Sequence, residues 1–420
     1  MNNAVPEQSV IKEIHTLIQS ARVKLKNVTK ITPFIASVDL SDKTNAEVFL
    51  KYENRQRTAS FKERGAFFKL VSLSDKQCIK GVIAMSAGNH AQALAYHARS
   101  LKIPCTIIMP NFTPNIKVRN TERYGAEVIS FGNSLEEAGD YALQLSKQKQ
   151  LTFIHPYDDK FVIAGQGTIA LEMLDEETDL DTLLIPIGGG GLISGMAIAA
   201  KNRSPNIEII GVEAARYPSM QQALSGQTIH CGRSTLADGI GVKKPGKLPL
   251  KIIKLLVDDI ILVSEQEIEQ AVLILLEKEK TLVEGAGAAP LAALLACPEK
   301  FTGKKIGLLL SGGNIDMSVL SLIIQRGMEK TQRLISLTVV LRDTPGALSQ
   351  LTMLIEKTDA NIVKVQHQRA FTKLPLESVE VTLVLQTRGW DHIQEIHSIL
   401  KKEGTIYRSI DTYSNTNHYS

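Results

Sequence analysis

The sequence predicts an α/β protein with a small α+β domain behind it, on three observations. Short β-branched apolar runs alternate with longer amphipathic stretches from Val82 to about Leu310. That alternation stops near Lys330, where the character of the chain changes. From Ile335 onward the segments follow a strand–helix–strand–strand–helix–strand order. The expected domains are therefore residues 1–330 and 331–412, with a polar tail at 413–420.

The chain opens with Ile11, Ile14, Leu17, Ile18, Ala21 and Leu25 at helical spacing, which predicts an amphipathic helix. The runs GVIAMS, CTIIMP, AEVISF, LLIPI, IEIIGVE and KIGLLLS have the length and composition of strands buried on both faces. Amphipathic segments between them supply helices to cover the sheet. Gly285 to Cys297 is apolar but made of small residues and interrupted by Pro290, so it reads as a buried helix. In the last quarter, ISLTVVL, NIVKVQH, SVEVTLVLQT and TIYRSI are the expected strands of a ferredoxin-like βαββαβ domain. Val379, Val381, Leu383 and Leu385 alternate with more polar positions, as in a sheet covered on one face. Trp390 is expected to anchor the helix there.

Composition narrows the function classes. At 420 residues, with 44% hydrophobic and 22% charged side chains, the chain can bury a sizeable core. The net charge of +4 is scattered, and Lys243, Lys244 and Lys247 are its densest group. This is no nucleic-acid or membrane surface, so small molecules are the expected partners. MNNAVPEQSV is not a secretory signal, and the four cysteines form no CxxC pair, so a reduced cytoplasmic setting is expected.

Four motifs carry the chemistry. In Thr58-Ala-Ser-Phe-Lys62-Glu-Arg-Gly-Ala66, Ser60 and Glu63 have capping-box spacing, which would put Lys62 in the first turn of a helix. The positive helix end would lower the lysine pKa, as a lysine that attacks a carbonyl requires. A solvated first-turn lysine is the plainer alternative. Gly188, Gly189, Gly190, Gly191 and Leu192 stand between an apolar strand and a small-residue helix. Several backbone N–H groups can point at one anion there, which favours a phosphate cradle over a linker. Ser86-Ala-Gly-Asn89-His90 and Ser311-Gly-Gly-Asn314 each follow a strand, where α/β sheets bind ligands. By itself the first reads equally as a surface turn, and the second more often as a helix cap than as a ligand contact.

Two nucleotide motifs fail. With Gly189 and Gly191 the third glycine of a dinucleotide fingerprint is Ser194, although Glu213 stands where a ribose-binding acid would. GVKKPGK has P-loop spacing, but Leu248 replaces the metal-binding hydroxyl. His90 and His97 are two helical turns apart, a spacing that suits packing better than a metal.

SFKERGA, SAGNHAQ, GGGGLISG, VEGAGA and SGGN, in this order, resemble the threonine/serine dehydratases of the fold-type II pyridoxal-phosphate enzymes, from about Thr32 to Arg326. RDTPGALSQL and ANIVKV resemble an ACT domain, a module that usually binds amino acids. The resemblance implies a two-lobed catalytic domain with open parallel sheets and pyridoxal 5'-phosphate carried on Lys62. It implies that Asn89 meets the cofactor's ring hydroxyl, Gly188 to Leu192 hold the phosphate and Ser311 faces the pyridine nitrogen. Ser86 and Asn89 would lie on the loop that receives the substrate carboxylate. The implied reaction converts L-threonine to 2-oxobutanoate and ammonia, with L-serine as a second substrate and Lys62 taking the α-proton. Serine dehydration or racemisation is the alternative within the family, and a nicotinamide oxidoreductase a distant one. Asp343, Gly346 and Asn361 match the ACT positions that bind an amino-acid effector. A homo-oligomer and no metal complete the expectation, since the further acidic ligands that some relatives place after the residue matching Glu213 are missing from AARYPSM.

Overall fold

The computed structural model describes residues 4–410, so the polar tail at 413–420 lies outside the described residues. The chain forms two compact units that divide between Ile315 and Asp316. The helix Met317–Lys330 therefore groups with the smaller unit.

The first unit holds two sheets. The larger runs Phe34–Ala36, Glu47–Lys51, Lys305–Leu309, Thr182–Pro186, Glu208–Ala214 and Asp259–Val263, parallel except for the first pair. The smaller runs Glu127–Ser130, Cys105–Met109, Val82–Met85 and Thr152–Phe153, all parallel. All six expected strands form and are shared between the two sheets. Four further strands, Phe34–Ala36, Glu47–Lys51, Thr152–Phe153 and Asp259–Val263, join them without a clear sequence signal.

Burial explains why five of the runs are apolar throughout; the sixth, Glu127–Ser130, is the edge strand of its sheet and is only half-buried, against expectation. In the smaller sheet Val82, Ala84, Ile107 and Met109 pack against Ala91, Leu94 and Ala95 on one face. Ile83 and Ile108 pack against Ala138, Ala142 and Leu145 on the other. Successive side chains point to opposite faces, so a strand covered on both sides has no polar register. The opening helix Ala4–Leu25 buries Ile14, Ile18, Ala21 and Leu25 against the main core, and the helix Gly285–Ala296 is buried around Pro290.

Close glycine contacts set the helices that carry the key motifs. A Cβ on Gly65 would lie 2.7 Å from Val162 O, and one on Gly165 would lie 2.6 Å from Arg64 O. A Cβ on Gly195 would lie 2.1 Å from Ile163 O. The helix Lys160–Glu176 thus lies against both Lys62–Leu70 and Gly191–Arg203, backbone to backbone.

In the second unit the strands Asn361–Gln368, Ser378–Gln386, Leu334–Arg342 and Ile406–Ile410 lie side by side in that order, all antiparallel. With the helices Ala347–Glu356 and Trp390–Lys402 this is the expected βαββαβ arrangement. Val379, Val381, Leu383 and Leu385 are buried, as their alternation predicts. Trp390 is not an anchor, because it begins its helix with 46% of its surface exposed. The buried side of that helix carries His392, Ile393, Ile396 and Leu400. His392 Nδ1 accepts the Arg388 N–H at 3.1 Å, and its Nε2 lies 2.6 Å from Thr358 O.

Candidate active site

Lys62 begins a helix, but Ser60 does not cap it. Phe61 is the cap residue and makes no side-chain capping bond. The segment before it pairs with a distant one instead: Ser60 and Gly312 form an isolated antiparallel bridge. The Phe61 N–H donates to Ser311 O at 3.0 Å, and the Gly313 N–H donates to Ala59 O at 2.9 Å. Ala59 takes a left-handed φ of 56° to make the turn. Glu63 reaches back to the Thr58 N–H, and Ser60 Oγ is buried without a hydrogen bond among the described residues. This pairing, not a capping box, places Lys62 beside Ser311.

The Lys62 amine donates to Pro156 O at 2.9 Å. Withdrawal from solvent lowers its pKa to about 8, and the Glu284 carboxylate opposes the shift. Burial, more than the helix end invoked from the sequence, is the cause.

Ser86 follows the strand Val82–Met85, and its Oγ accepts the Gly88 N–H at 3.2 Å. Asn89 then starts the helix Asn89–Ser100. Its amide Nδ2 donates to Glu284 Oε1 at 2.7 Å, and its Oδ1 accepts from Asn314 Nδ2 at 2.7 Å. Glu284 is buried, which pushes its carboxyl up to about 7, and nearby Asp238 pushes the same way. A Cβ on Gly312 would stand 2.4 Å from Glu284 Oε1, so only glycine leaves room for that side chain.

Gly188 to Leu192 follow the strand Thr182–Pro186 and lead into the helix Gly191–Arg203. Gly190 has φ 90°, a left-handed turn that glycine takes without strain. Cβ atoms on Gly189 and Gly191 would lie 2.3 Å from the Tyr157 ring and 2.6 Å from Tyr157 O. The loop is bare backbone at a helix start, where the first N–H groups have no partner in the helix and favour an anion. Residues 154–158 form the common wall. Pro156 meets Lys62, Tyr157 lies over the glycines, and Ile154 O lies 3.2 Å from His90 Nε2.

The structure therefore brings Lys62, Ser86, Asn89, Gly188 to Leu192 and Ser311 to one region at the C-terminal ends of strands from both sheets. The donor set suits pyridoxal phosphate: a lysine poised to lose its proton, a neutral serine hydroxyl, an asparagine amide and an anion-ready helix start. Residues 25–312 match the family model described as "Pyridoxal-phosphate dependent enzyme". The chain belongs to this family. This pyridoxal-phosphate enzyme is 45% identical over 394 residues to the L-threonine ammonia-lyase of Geobacter sulfurreducens, covering 93% of this chain and 98% of that one. It is also 45% identical over 317 residues to a catabolic L-threonine dehydratase of Staphylococcus aureus, covering 74% of this chain and 92% of the relative. Its fold is similar to the processed threonine deaminase isoform 2 of Solanum lycopersicum, with a TM-score of 0.72 and 34% identity over 75% of this chain and 87% of that one.

The sequence reading missed Glu284 and Asn314, although both stand in quoted motifs, because their partners are remote in the chain. Glu213 is buried at the end of its strand and held by backbone donors. Its oxygens accept the Met220 and Gln221 N–H groups at 2.8 and 2.9 Å, and burial pushes its carboxyl up to about 7. Among the described residues no group of three His, Cys, Asp or Glu side chains is arranged to hold a metal ion, and no helix is long and apolar enough to cross a membrane. Asp343, Gly346 and Asn361 do not converge within one chain. Asp343 follows the Arg342 end of its strand, with Gly346 three residues on. Asn361 aligns with Gln386, which aligns with Leu334 at the other end.

Proposed function

We propose that this enzyme removes water and then ammonia from L-threonine to give 2-oxobutanoate, acting more slowly on L-serine to give pyruvate. The observation that carries this reading is Lys62: a withdrawn amine with a pKa near 8, placed between Ser311, the Asn89 loop and the glycine cradle. The names of relatives that align over nearly the whole chain support the choice of threonine.

Bound there, pyridoxal phosphate supplies an electron sink for the negative charge that develops at the substrate Cα. Lys62 would hold the cofactor covalently, and its neutral amine would take the substrate α-proton. Gly188 to Gly191 and Leu192 would hold the phosphate through backbone N–H groups. Ser311 would offer the pyridine nitrogen a neutral hydroxyl in place of a carboxylate, which would not force that nitrogen to be protonated. Ser86 and Asn89 border the loop that receives the substrate carboxylate.

Racemisation needs a second acid on the opposite face of the carbanion. The family resemblance implies that serine racemases place a serine next to the first serine of this loop, and here that position is Ala87. Elimination is therefore the expected outcome.

We read the smaller unit as an ACT module that binds an amino-acid effector, which its βαββαβ order supports. Asp343 and Asn361 lie at opposite ends of strands nine and eight residues long, a span of roughly 25 Å at strand rise. A single small ligand that meets both is held between two copies, so we propose a homo-oligomer.

The test is direct. Purified enzyme should show a visible absorption band that borohydride removes, and peptide mapping should place the reduced cofactor on Lys62. L-threonine should yield 2-oxobutanoate and ammonia, with negligible D-amino acid by chiral analysis. Cofactor on another lysine, or D-serine formed from L-serine as fast as pyruvate, would refute the assignment.

A further inference from the structure

We propose that Glu284 and Asn314 are positioning residues that lock the Asn89 amide in a single orientation, so that it turns an N–H, not its carbonyl, toward the cofactor. This rests on the functional reading above, which places Asn89 at the cofactor's ring oxygen.

An asparagine amide offers an acceptor and a donor of nearly identical shape, and only its partners decide which faces where. Here the decision starts from a backbone carbonyl. Thr58 O can only accept, so the atom of Asn314 that lies 2.8 Å from it must be Nδ2. The same Nδ2 lies 2.7 Å from Asn89, so the Asn89 atom facing it must be the acceptor Oδ1. Asn89 Nδ2 is then turned to Glu284 Oε1 at 2.7 Å, an atom that accepts whether or not the carboxyl carries a proton. Flipping Asn89 would set two N–H donors against each other and carbonyl against carboxylate.

Glu284 is itself held. Its backbone N–H donates to Gly312 O at 3.0 Å, and its carboxylate also receives the Asn314 N–H. Gly312 and Gly239 enclose Glu284 Oε1, since their Cβ atoms would stand 2.4 and 3.4 Å from it. The relay Thr58–Asn314–Asn89–Glu284 joins the lysine loop, the SGGN loop, the SAGN loop and the VEGAGA turn. One Asn89 N–H is used on Glu284, and the second is left for the ring oxygen. A donor at that position favours the deprotonated oxygen, whereas a carbonyl would favour the protonated one.

The experiment compares wild-type holoenzyme with Asn314→Ala, Glu284→Ala, Glu284→Gln and Asn89→Ala. The readouts are the visible spectrum and pyridoxal-phosphate affinity by equilibrium dialysis. Asn314→Ala and Glu284→Ala should gain a shorter-wavelength component from the protonated ring oxygen and bind the cofactor roughly tenfold more weakly, as expected for one lost buried hydrogen bond. Glu284→Gln keeps an acceptor for Asn89 and should keep the wild-type spectrum, which a role resting on the carboxylate charge would not predict. If Glu284→Ala is insoluble, the contrast of Asn314→Ala with Glu284→Gln decides the matter. Unchanged spectrum and affinity in the alanine variants, with Asn89→Ala altered, would overturn the clamp alone. A wild-type enzyme without a borohydride-sensitive band, or an Asn89→Ala enzyme with the wild-type spectrum, would overturn the functional reading and the clamp with it.

Discussion

At the scale of the residue, the decisive quantity is the proton on Lys62. Its pKa falls to about 8 because the amine is withdrawn from water, so the neutral form is half-populated near that pH. Only the neutral amine attacks a carbonyl. In cofactor-free enzyme the rate of pyridoxal-phosphate capture should rise about tenfold per pH unit below this midpoint, then level off. Stopped-flow absorbance at constant ionic strength measures it. Glu284→Gln removes the charge that opposes the shift, so its midpoint should move to lower pH; an unmoved midpoint would separate Glu284 from the lysine. The same shift sets a stability slope. The native lysine gives up its proton near pH 8 and the unfolded one near ~10.4, so the unfolded chain binds more protons between those values and stability rises with pH there.

At the scale of the element, the site depends on how three helices are seated. Arg64, two residues after Lys62, is fully buried and donates to both Glu53 and Glu172. Lys51, also fully buried, lies 2.7 Å from Glu172 Oε2 and donates to Thr32 O at 2.7 Å. These bonds tie the lysine helix to the strand Glu47–Lys51 and the helix Lys160–Glu176. Removing one partner strands a buried charge, so Arg64→Leu should destabilise the enzyme by about 3–5 kcal/mol. Urea denaturation checks this, and a loss below about 1 kcal/mol would show that the network is dispensable. On the other side of the same helix, a Gly195→Ala Cβ would lie 2.1 Å from Ile163 O, backbone that cannot move aside cheaply. The helix behind the glycine loop must shift, so the variant should lose about 1–3 kcal/mol of stability. It should also bind cofactor more weakly while the borohydride-labelled residue stays Lys62. Unchanged dialysis affinity would mean that the cradle tolerates the displacement.

At the scale of the whole molecule, the proposed regulation is assigned to the unit that does not carry the pyridoxal-phosphate family match. The Staphylococcus aureus relative aligns over 74% of this chain and 92% of its own length, so the dehydratase core occurs with little beyond it. A chain ending at Gln332 should keep threonine turnover and lose any change in kinetics or thermal midpoint caused by amino acids. Thermal-shift and initial-rate screens of both chains against the twenty amino acids would decide it. A full-length enzyme indifferent to all of them would remove ligand control. Coupling is a difference between two bound states and has to be measured as one.

What the sequence determined by itself was whatever depends on neighbours in the chain. Five of the six apolar strand runs form because burial on both faces demands apolar side chains at successive positions, the sixth, Glu127–Ser130, being a half-exposed edge strand, and the GGGG turn forms because four glycines in a row act locally. The order of the second unit was legible for the same reason, since its strands alternate and its helices are amphipathic. Tertiary structure decided what depends on partners far away. Ser60 looked like a helix cap, but its segment pairs with Gly312, about 250 residues on. Glu284 had no visible role because its partner Asn89 lies 195 positions away. The two sheets could not be told apart from their strands, since burial gives both the same composition. A local pattern records what a residue's environment must be, while hydrogen bonds between loops arise only after the chain has brought distant strand ends together.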